Sequence, residues 1–219
     1  MAFKDLIKRV KKYNKNSDIA LLEKSYIYAK GLLKEKSRVS GKSIIKHQLE
    51  VAYELSNLKL DDQSIAAALL HGLLNKGADI KTLKKEVGEE VLSILENIEK
   101  MSEIKRNISK HVNETENLKK VLLVASKDIR ALIIKICDKV VNLKDLQFLN
   151  QVERKRIATE ALNIYAPLAY RLGMGKLKSE MEDLAFKNLD EKAYNTIKSK
   201  IENVRKEGEI FLYKFEDFL

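Results

Sequence analysis

Two histidines and an aspartate are the side chains of this sequence best suited to chemistry: His47, His71 and Asp138. Each lies on an apolar flank of a segment with helical spacing. Two imidazoles and a carboxylate suit a first-row divalent metal. They equally suit a hydrogen-bonded core triad with no metal, because a buried polar group left unpaired costs roughly 1–3 kcal/mol. Their separation along the chain is too wide to choose between these readings. The third histidine, His111, lies in a polar stretch and is given no role. No Gly-rich phosphate loop, Cys-x-x-Cys pair, repeat or coiled-coil heptad accompanies them.

The elements that must position these residues read as helices. AAALLHGLLNKG, from Ala66 to Gly77, is a strongly apolar helix interrupted by His71, and belongs in the middle of a domain. Asp61 and Asp62 precede it, where the helix dipole favours carboxylates. His47 falls on a helix from Ser43 to about Asn57, sharing a flank with Val51. Asp138 falls in DIRALIIKICDKVVNLKDL, read as a helix from Asp128 to about Leu149. Its expected buried stripe is Ile129, Leu132, Ile133, Ile136, Val140 and Leu143, with Asn142 one turn beyond Asp138 on the same side.

Around these, FKDLIKRVKKY is an amphipathic opening, and Asn16-Ser17-Asp18 is an N-cap cluster. A helix then follows to about Lys36, burying Ile19, Leu22, Tyr26, Ala29 and Leu33. Lys81 to Glu86 and Glu89 to Lys100 read as two helices broken at Gly88. Met101 to Glu116, with no apolar period, is the expected mobile loop, and the chain is helical again from Asn117. The spacing further predicts a kink or break near Pro167, a turn around Gly173, and a last helix from Asp190. The final stretch alternates Phe211, Tyr213, Phe215 and Phe218 with charged residues, so that end is expected to need a partner.

Composition agrees with an all-α protein: 219 residues contain one proline and eight glycines. Apolar residues at 45% and charged ones at 34% allow a real core under a charged surface, as one domain. The single cysteine, Cys137, reads as a buried thiol in a reducing compartment. No membrane-spanning run or signal-peptide core is present, so a cytoplasmic chain with no membrane partner is expected. The net charge of +10 permits nucleic acid, phosphate-rich ligands or the ribosome as partners, but lysines and glutamates are interleaved along every helix.

Four stretches carry a resemblance. RVSGKSIIKHQLEVA (Arg38 to Ala52) resembles an Arg-Lys-Ser-Gly…His-Pro-Leu-Glu-Val-Ala segment, and IAAALLHGLL (Ile65 to Leu74) an Ala-Ala-Leu-Leu-His-Asp element. SKDIRALIIKICDKVVNLKDL (Ser126 to Leu146) is similar to a Lys-Asp-Ile-Arg…Asp-Arg-Leu-His-Asn helix. IYAPLAYRLGMGKLKSEMEDLAF (Ile164 to Phe186) resembles the segment before a linker. All four belong, in this order, to the amino-terminal hydrolase domain of the RelA/SpoT family, which makes and degrades (p)ppGpp. The resemblance covers about residues 18 to 205 and implies an HD-type helical bundle.

It also implies ligands and roles. The family's metal, usually manganese, would fall to His47, His71, position 72 and Asp138. Position 72 is Gly72, so the fourth ligand is lost. The family's Glu-Asp pair, which activates water and handles protons, falls on Asn75 and Lys76. Without those carboxylates no group in this segment can take a proton from an attacking water at neutral pH. No catalytic residue and no cofactor is therefore expected, with manganese the ion if any metal is retained. The guanine-contacting positions retain Arg38 and Asn142, which read either as nucleotide-binding residues or as surface and helix-edge residues. Three neighbours of these positions have changed, to Val39, Lys139 and Val141, and a family threonine is Asp145.

The reading is a catalytically degenerate (p)ppGpp hydrolase-like domain over residues 1–219, regulatory or structural in role. Residues 190–219 would form a terminal helix or linker toward a downstream synthetase domain, or a homo-oligomer contact. Three rivals stand beside it. One is an active 3′-pyrophosphohydrolase using Asp79 or Glu54 in place of the lost carboxylates. The others are a non-catalytic guanine-nucleotide sensor and a basic module for RNA or the ribosome.

Overall fold

Cap residues and breakers set the helix boundaries. The computed structural model describes residues 2–34, 36–107, 123 and 127–216, with 104–107 and 206–216 as backbone only. Its helices are α1 Phe3–Tyr13, α2 Ile19–Leu32, α3 Ile44–Asn57, α4 Asp62–Leu70 and α5 Ile80–Asn107. They continue as α6 Ile129–Lys144, α7 Gln151–Glu160, α8 Ala166–Arg171, α9 Gly175–Leu189 and α10 Glu191–Glu216. Asp18, Ser43, Asp61, Asp128 and Asn150 each accept a backbone N–H of the first turn that follows, satisfying donors that the helix leaves open. Among the described residues the sole β contact is an antiparallel bridge between Ser37 and Ser43.

α4 is the axis of the bundle. Every residue from Ser64 to Leu70 is fully buried, and α2, α3, α5 and α6 pack around it. Asp62, buried at its first turn, accepts the Asp18 backbone N–H at 2.7 Å. That bond ties the start of α2 to the start of α4.

The expected central helix from Ala66 to Gly77 is corrected. The α-helix ends at Leu70, and His71 stands at its C-cap rather than in mid-helix. Gly72 follows with φ 74°, and Leu74–Lys76 forms a 3-10 turn closed by Gly77 at φ 89°. A glycine in the left-handed region just past a helix is a common stop.

Other expectations shift more modestly. α2 ends at Leu32 rather than Lys36, and Ile19 and Tyr26 are only partly buried. α6 stops at Lys144, and Leu146–Phe148 forms a 3-10 turn. Ile129, one residue past the cap, is 45% exposed, while the rest of the predicted α6 stripe is buried along with Ala131, Ile134, Cys137 and Val141. The break at Gly88 is present (φ 85°, ψ 171°), but the helix continues through Met101 to Asn107 where a loop is expected. His111, the rest of that loop and the helix from Asn117 to Leu122 lie outside the described residues.

Pro167 makes no break. A π turn, Ala161–Tyr165, precedes it, with the Ala166 N–H reaching back to the Ala161 carbonyl. Proline offers no N–H to the carbonyl four residues earlier, and the wider turn absorbs that mismatch within a continuous helix. The turn at Gly173 (φ 73°) and the start of α10 after Asp190 are as expected. The aromatic tail, Phe211 to Phe218, falls outside the residues whose side chains are described.

Candidate metal and nucleotide site

α3, the end of α4 and α6 bring His47, His71 and Asp138 together. One ligand atom from each lies within 4.8 Å of the other two. His47 and Asp138 are buried and His71 is half-buried. The imidazole rings meet edge to face, with centroids 5.3 Å apart at 61°.

The hydrogen bonds assign the tautomers. His71 Nδ1–H donates to the Ala68 carbonyl at 2.6 Å, one turn back on the same helix. Its Nε2 therefore carries a lone pair, directed at Asp138 Oδ1 from 3.7 Å. Two lone pairs facing each other across that gap form an electron-rich point suited to a cation. Gln48, buried beside His47, donates to the His71 carbonyl at 2.9 Å and fixes this corner.

His47 is arranged differently. Its Nε2 lies 3.0 Å from Asp138 Oδ1, while its Nδ1 receives a hydrogen bond from Arg38 Nη1. Guanidinium is a donor only, so the neutral ring carries its proton on Nε2 and donates to Asp138. Burial holds the His47 pKa below its ordinary value against the pull of Asp138, which keeps the ring neutral. Burial alone would raise Asp138, but the His47 hydrogen bond prevails and holds this carboxyl well below the usual carboxylate range. His71, at 3.7 Å, is too far to donate to it.

Arg38 and Asn142 join the same network. Asn142 Nδ2 donates to Asp138 Oδ1 at 2.9 Å, and Arg38 Nη2 donates to Asn142 Oδ1. Arg38 is carried on the Ser37–Ser43 loop, where the Arg38 N–H bonds the Lys42 carbonyl at 2.9 Å and Gly41 takes a positive φ of 74°. Lys42 clamps that loop onto two helices, reaching Glu50 at 2.8 Å and Asp145 at 3.0 Å.

The positions expected to hold the remaining machinery are elsewhere engaged. Asn75 donates to Glu99, a carboxylate buried on α5, and Lys76 is exposed. Asp79 is exposed and caps α5 by accepting the Thr82 N–H at 2.7 Å. Glu54 pairs with Lys144 at 2.9 Å.

Several residues of the neighbourhood escape sequence reasoning. Lys139 is buried, 3.3 Å from Glu160 and 5.1 Å above the Tyr165 ring. Lys135 donates to Ser102 Oγ at 2.9 Å, and burial lowers its pKa. Two lysines four residues apart within an apolar run were the available signal, since such a pair on α6 needs acids from other helices.

In size and donor type, His47, His71 and Asp138 fit a divalent first-row ion bound by three protein groups. Position 72 offers no fourth ligand, and Arg38 stands against His47.

A model of the HD domain family matches residues 25–175. The chain is 34% identical over 216 residues to the GTP pyrophosphokinase rsh of Brucella melitensis, covering 97% of this chain and 28% of that protein. It is 35% identical over 195 residues to the guanosine-3′,5′-bis(diphosphate) 3′-pyrophosphohydrolase of Aquifex aeolicus, covering 89% and 27%. With the bifunctional (p)ppGpp synthase/hydrolase SpoT of Escherichia coli K12 the figures are 32% over 204 residues, 93% and 29%. The chain thus spans well under a third of these relatives' lengths. A solved structure described as a metazoan ortholog of SpoT that hydrolyzes ppGpp superposes with a TM-score of 0.58 at 22% identity, covering 77% of this chain and 94% of that one. That likeness bears on the fold. An all-α bundle whose two histidines and aspartate converge at the end of its central helix, matched over 151 residues by the family model, belongs to the HD domain family, in its RelA/SpoT branch.

Proposed function

We propose that this chain is a catalytically degenerate (p)ppGpp hydrolase-like domain, regulatory or structural in guanosine tetraphosphate metabolism. The observation that carries the reading is the set of residues at 72, 75 and 76. Gly72 supplies no ligand, the Asn75 amide is held by Glu99, and Lys76 brings a positive charge. An ion held by His47, His71 and Asp138, manganese by family resemblance, would supply a Lewis acid and a more acidic bound water. Proton transfer would still need a carboxylate. The two alternatives weighed, Asp79 and Glu54, are committed to a helix cap and to Lys144.

Arg38 and Asn142, side by side at the solvent edge of the same site, support retained guanine-nucleotide binding without turnover. α10 supports a connecting role for residues 190–219, because Ile197, Ile201 and Val204 form an exposed apolar stripe at helical spacing. For RNA or the ribosome the net charge is the sole support.

The test incubates the purified chain with ppGpp and Mn²⁺ and follows release of pyrophosphate. No release above background is expected. Metal-dependent release that His71→Ala abolishes would overturn the degenerate reading and favour the active rival.

A further inference from the structure

Arg38, His47, Asp138 and Asn142 form a closed circuit. Arg38 donates to His47 Nδ1, and His47 donates from Nε2 to Asp138 Oδ1. Asn142 donates to that same oxygen, and its own carbonyl accepts the second Arg38 donor. The guanidinium is permanently charged and has no lone pair, so it locks His47 in the tautomer with its proton on Nε2. That nitrogen is the one a metal shared with Asp138 must use.

We propose that Arg38 is a built-in competitor of the metal. Its guanidinium and a divalent cation engage the His47–Asp138–Asn142 group in mutually exclusive arrangements, so metal uptake and release of Arg38 toward an anionic ligand are one coupled event.

The chemistry balances without any external reagent. For Nε2 of His47 to coordinate a cation, its proton moves to Nδ1 and the ring stays neutral. Nδ1–H then faces the Arg38 N–H, donor against donor, and the guanidinium has to leave. His71 needs no such change, since its Nδ1–H already rests on Ala68 and its Nε2 lone pair already faces Asp138. The whole tautomer switch is therefore confined to the one ring that Arg38 touches.

Charge acts in the same direction. The guanidinium balances the Asp138 carboxylate, and a dication added beside it would leave a half-buried site with excess positive charge. The movement required is a side-chain swing, because Lys42 holds the loop backbone on α3 and α6. Arg38 is half-buried, at the solvent edge. Coupling of this kind is reciprocal: a ligand that draws Arg38 outward tightens metal binding by the factor with which metal tightens that ligand.

The inference rests on the metal set of the proposed function but not on the loss of turnover, and it is tested by binding alone. The chelator-stripped chain and Arg38→Ala are titrated with Mn²⁺ by calorimetry and electron paramagnetic resonance. Arg38→Ala is expected to bind about tenfold more tightly, within the range usual for coupled sites. Equal, weaker or undetectable binding by a folded Arg38→Ala overturns the proposal. Nitrogen-15 histidine spectra of the unmodified, metal-free chain supply a second measure independent of the variant's folding. A His47 proton on Nε2 is expected, and a proton on Nδ1 overturns the proposal.

Discussion

Replacing Gly72 by aspartate tests whether a single missing ligand limits metal binding. A Cβ built at Gly72 meets nothing within 4 Å, so packing does not oppose the change. The cost lies in the backbone, because φ is 74°. A left-handed L-residue costs about 1–2 kcal/mol, and aspartate, which visits this region more readily than most, sits at the lower end. Losing a glycine also restricts the unfolded chain, which returns about 0.4–1 kcal/mol. The net penalty is therefore below about 1 kcal/mol, a fall in Tm of up to about 4 °C for a chain of this size. Thermal melts in EDTA should show that small loss. Melts with excess Mn²⁺ should show the variant overtaking the parent, since ligand at a hundred times Kd stabilises by about 2.7 kcal/mol. Turnover should stay absent, because Asn75 and Lys76 are unchanged. A loss above about 3 kcal/mol in EDTA would contradict the open left-handed turn. A Mn²⁺ response no larger than the parent's would refute the missing-ligand argument.

Three further outcomes follow from the same geometry. Asp138→Ala leaves the His47 Nε2–H and the Asn142 amide facing an empty buried site, and should cost about 3–5 kcal/mol in urea denaturation with EDTA present; a loss below about 1 kcal/mol would mean the network adds nothing to the fold. Cys137 is fully buried and burial pushes its thiol pKa well up, so alkylation by iodoacetamide should proceed only at the rate of global unfolding, and rapid labelling of the native chain would contradict its placement in α6. The hydrogen bond from Arg130 holds the Asp128 carboxyl below its ordinary 3.8, so the stability it adds is present above that pH and lost as pH falls further. Asp128→Asn should accordingly flatten the acid limb of the stability profile, read by denaturation from pH 6 down to about 2, and an unchanged limb would exclude the pair as its source.

His47, His71 and Asp138 were legible as a group because each interrupts an apolar helical pattern and each sits in a stretch with a family resemblance. What those three touch was not. Arg38 and Asn142 are 104 positions apart, and nothing local in either stretch announces that the arginine donates into the core rather than projecting outward. The end of α4 was hidden by Leu73 and Leu74, which continue the apolar run past Gly72 and so disguise a helix stop. The extension of α5 was missed because Met101 to Asn107 lacks an apolar period. Ser102 is nonetheless held there from both sides, donating to the Ile98 carbonyl and accepting from Lys135. Near Pro167 the right position was flagged with the wrong outcome, since a broken helix and a π turn answer the same missing N–H.

The π turn also limits how this segment can change length. Reaching back five residues instead of four holds one extra residue within an otherwise α-helical run. Deleting any single residue between Ala161 and Tyr165 would restore ordinary winding and rotate everything downstream by about 100°. Ala166, Leu168 and Ala169, now buried, would turn away from the core, and the Tyr165 ring would leave Lys139. Insertions in surface loops carry only a slowly growing entropy cost, so lineages can lengthen those freely. Here the tolerated unit is a whole register. Relatives that lack the π turn should therefore differ from this chain by a one-residue gap at this point, compensated by substitutions along the facing side of α6.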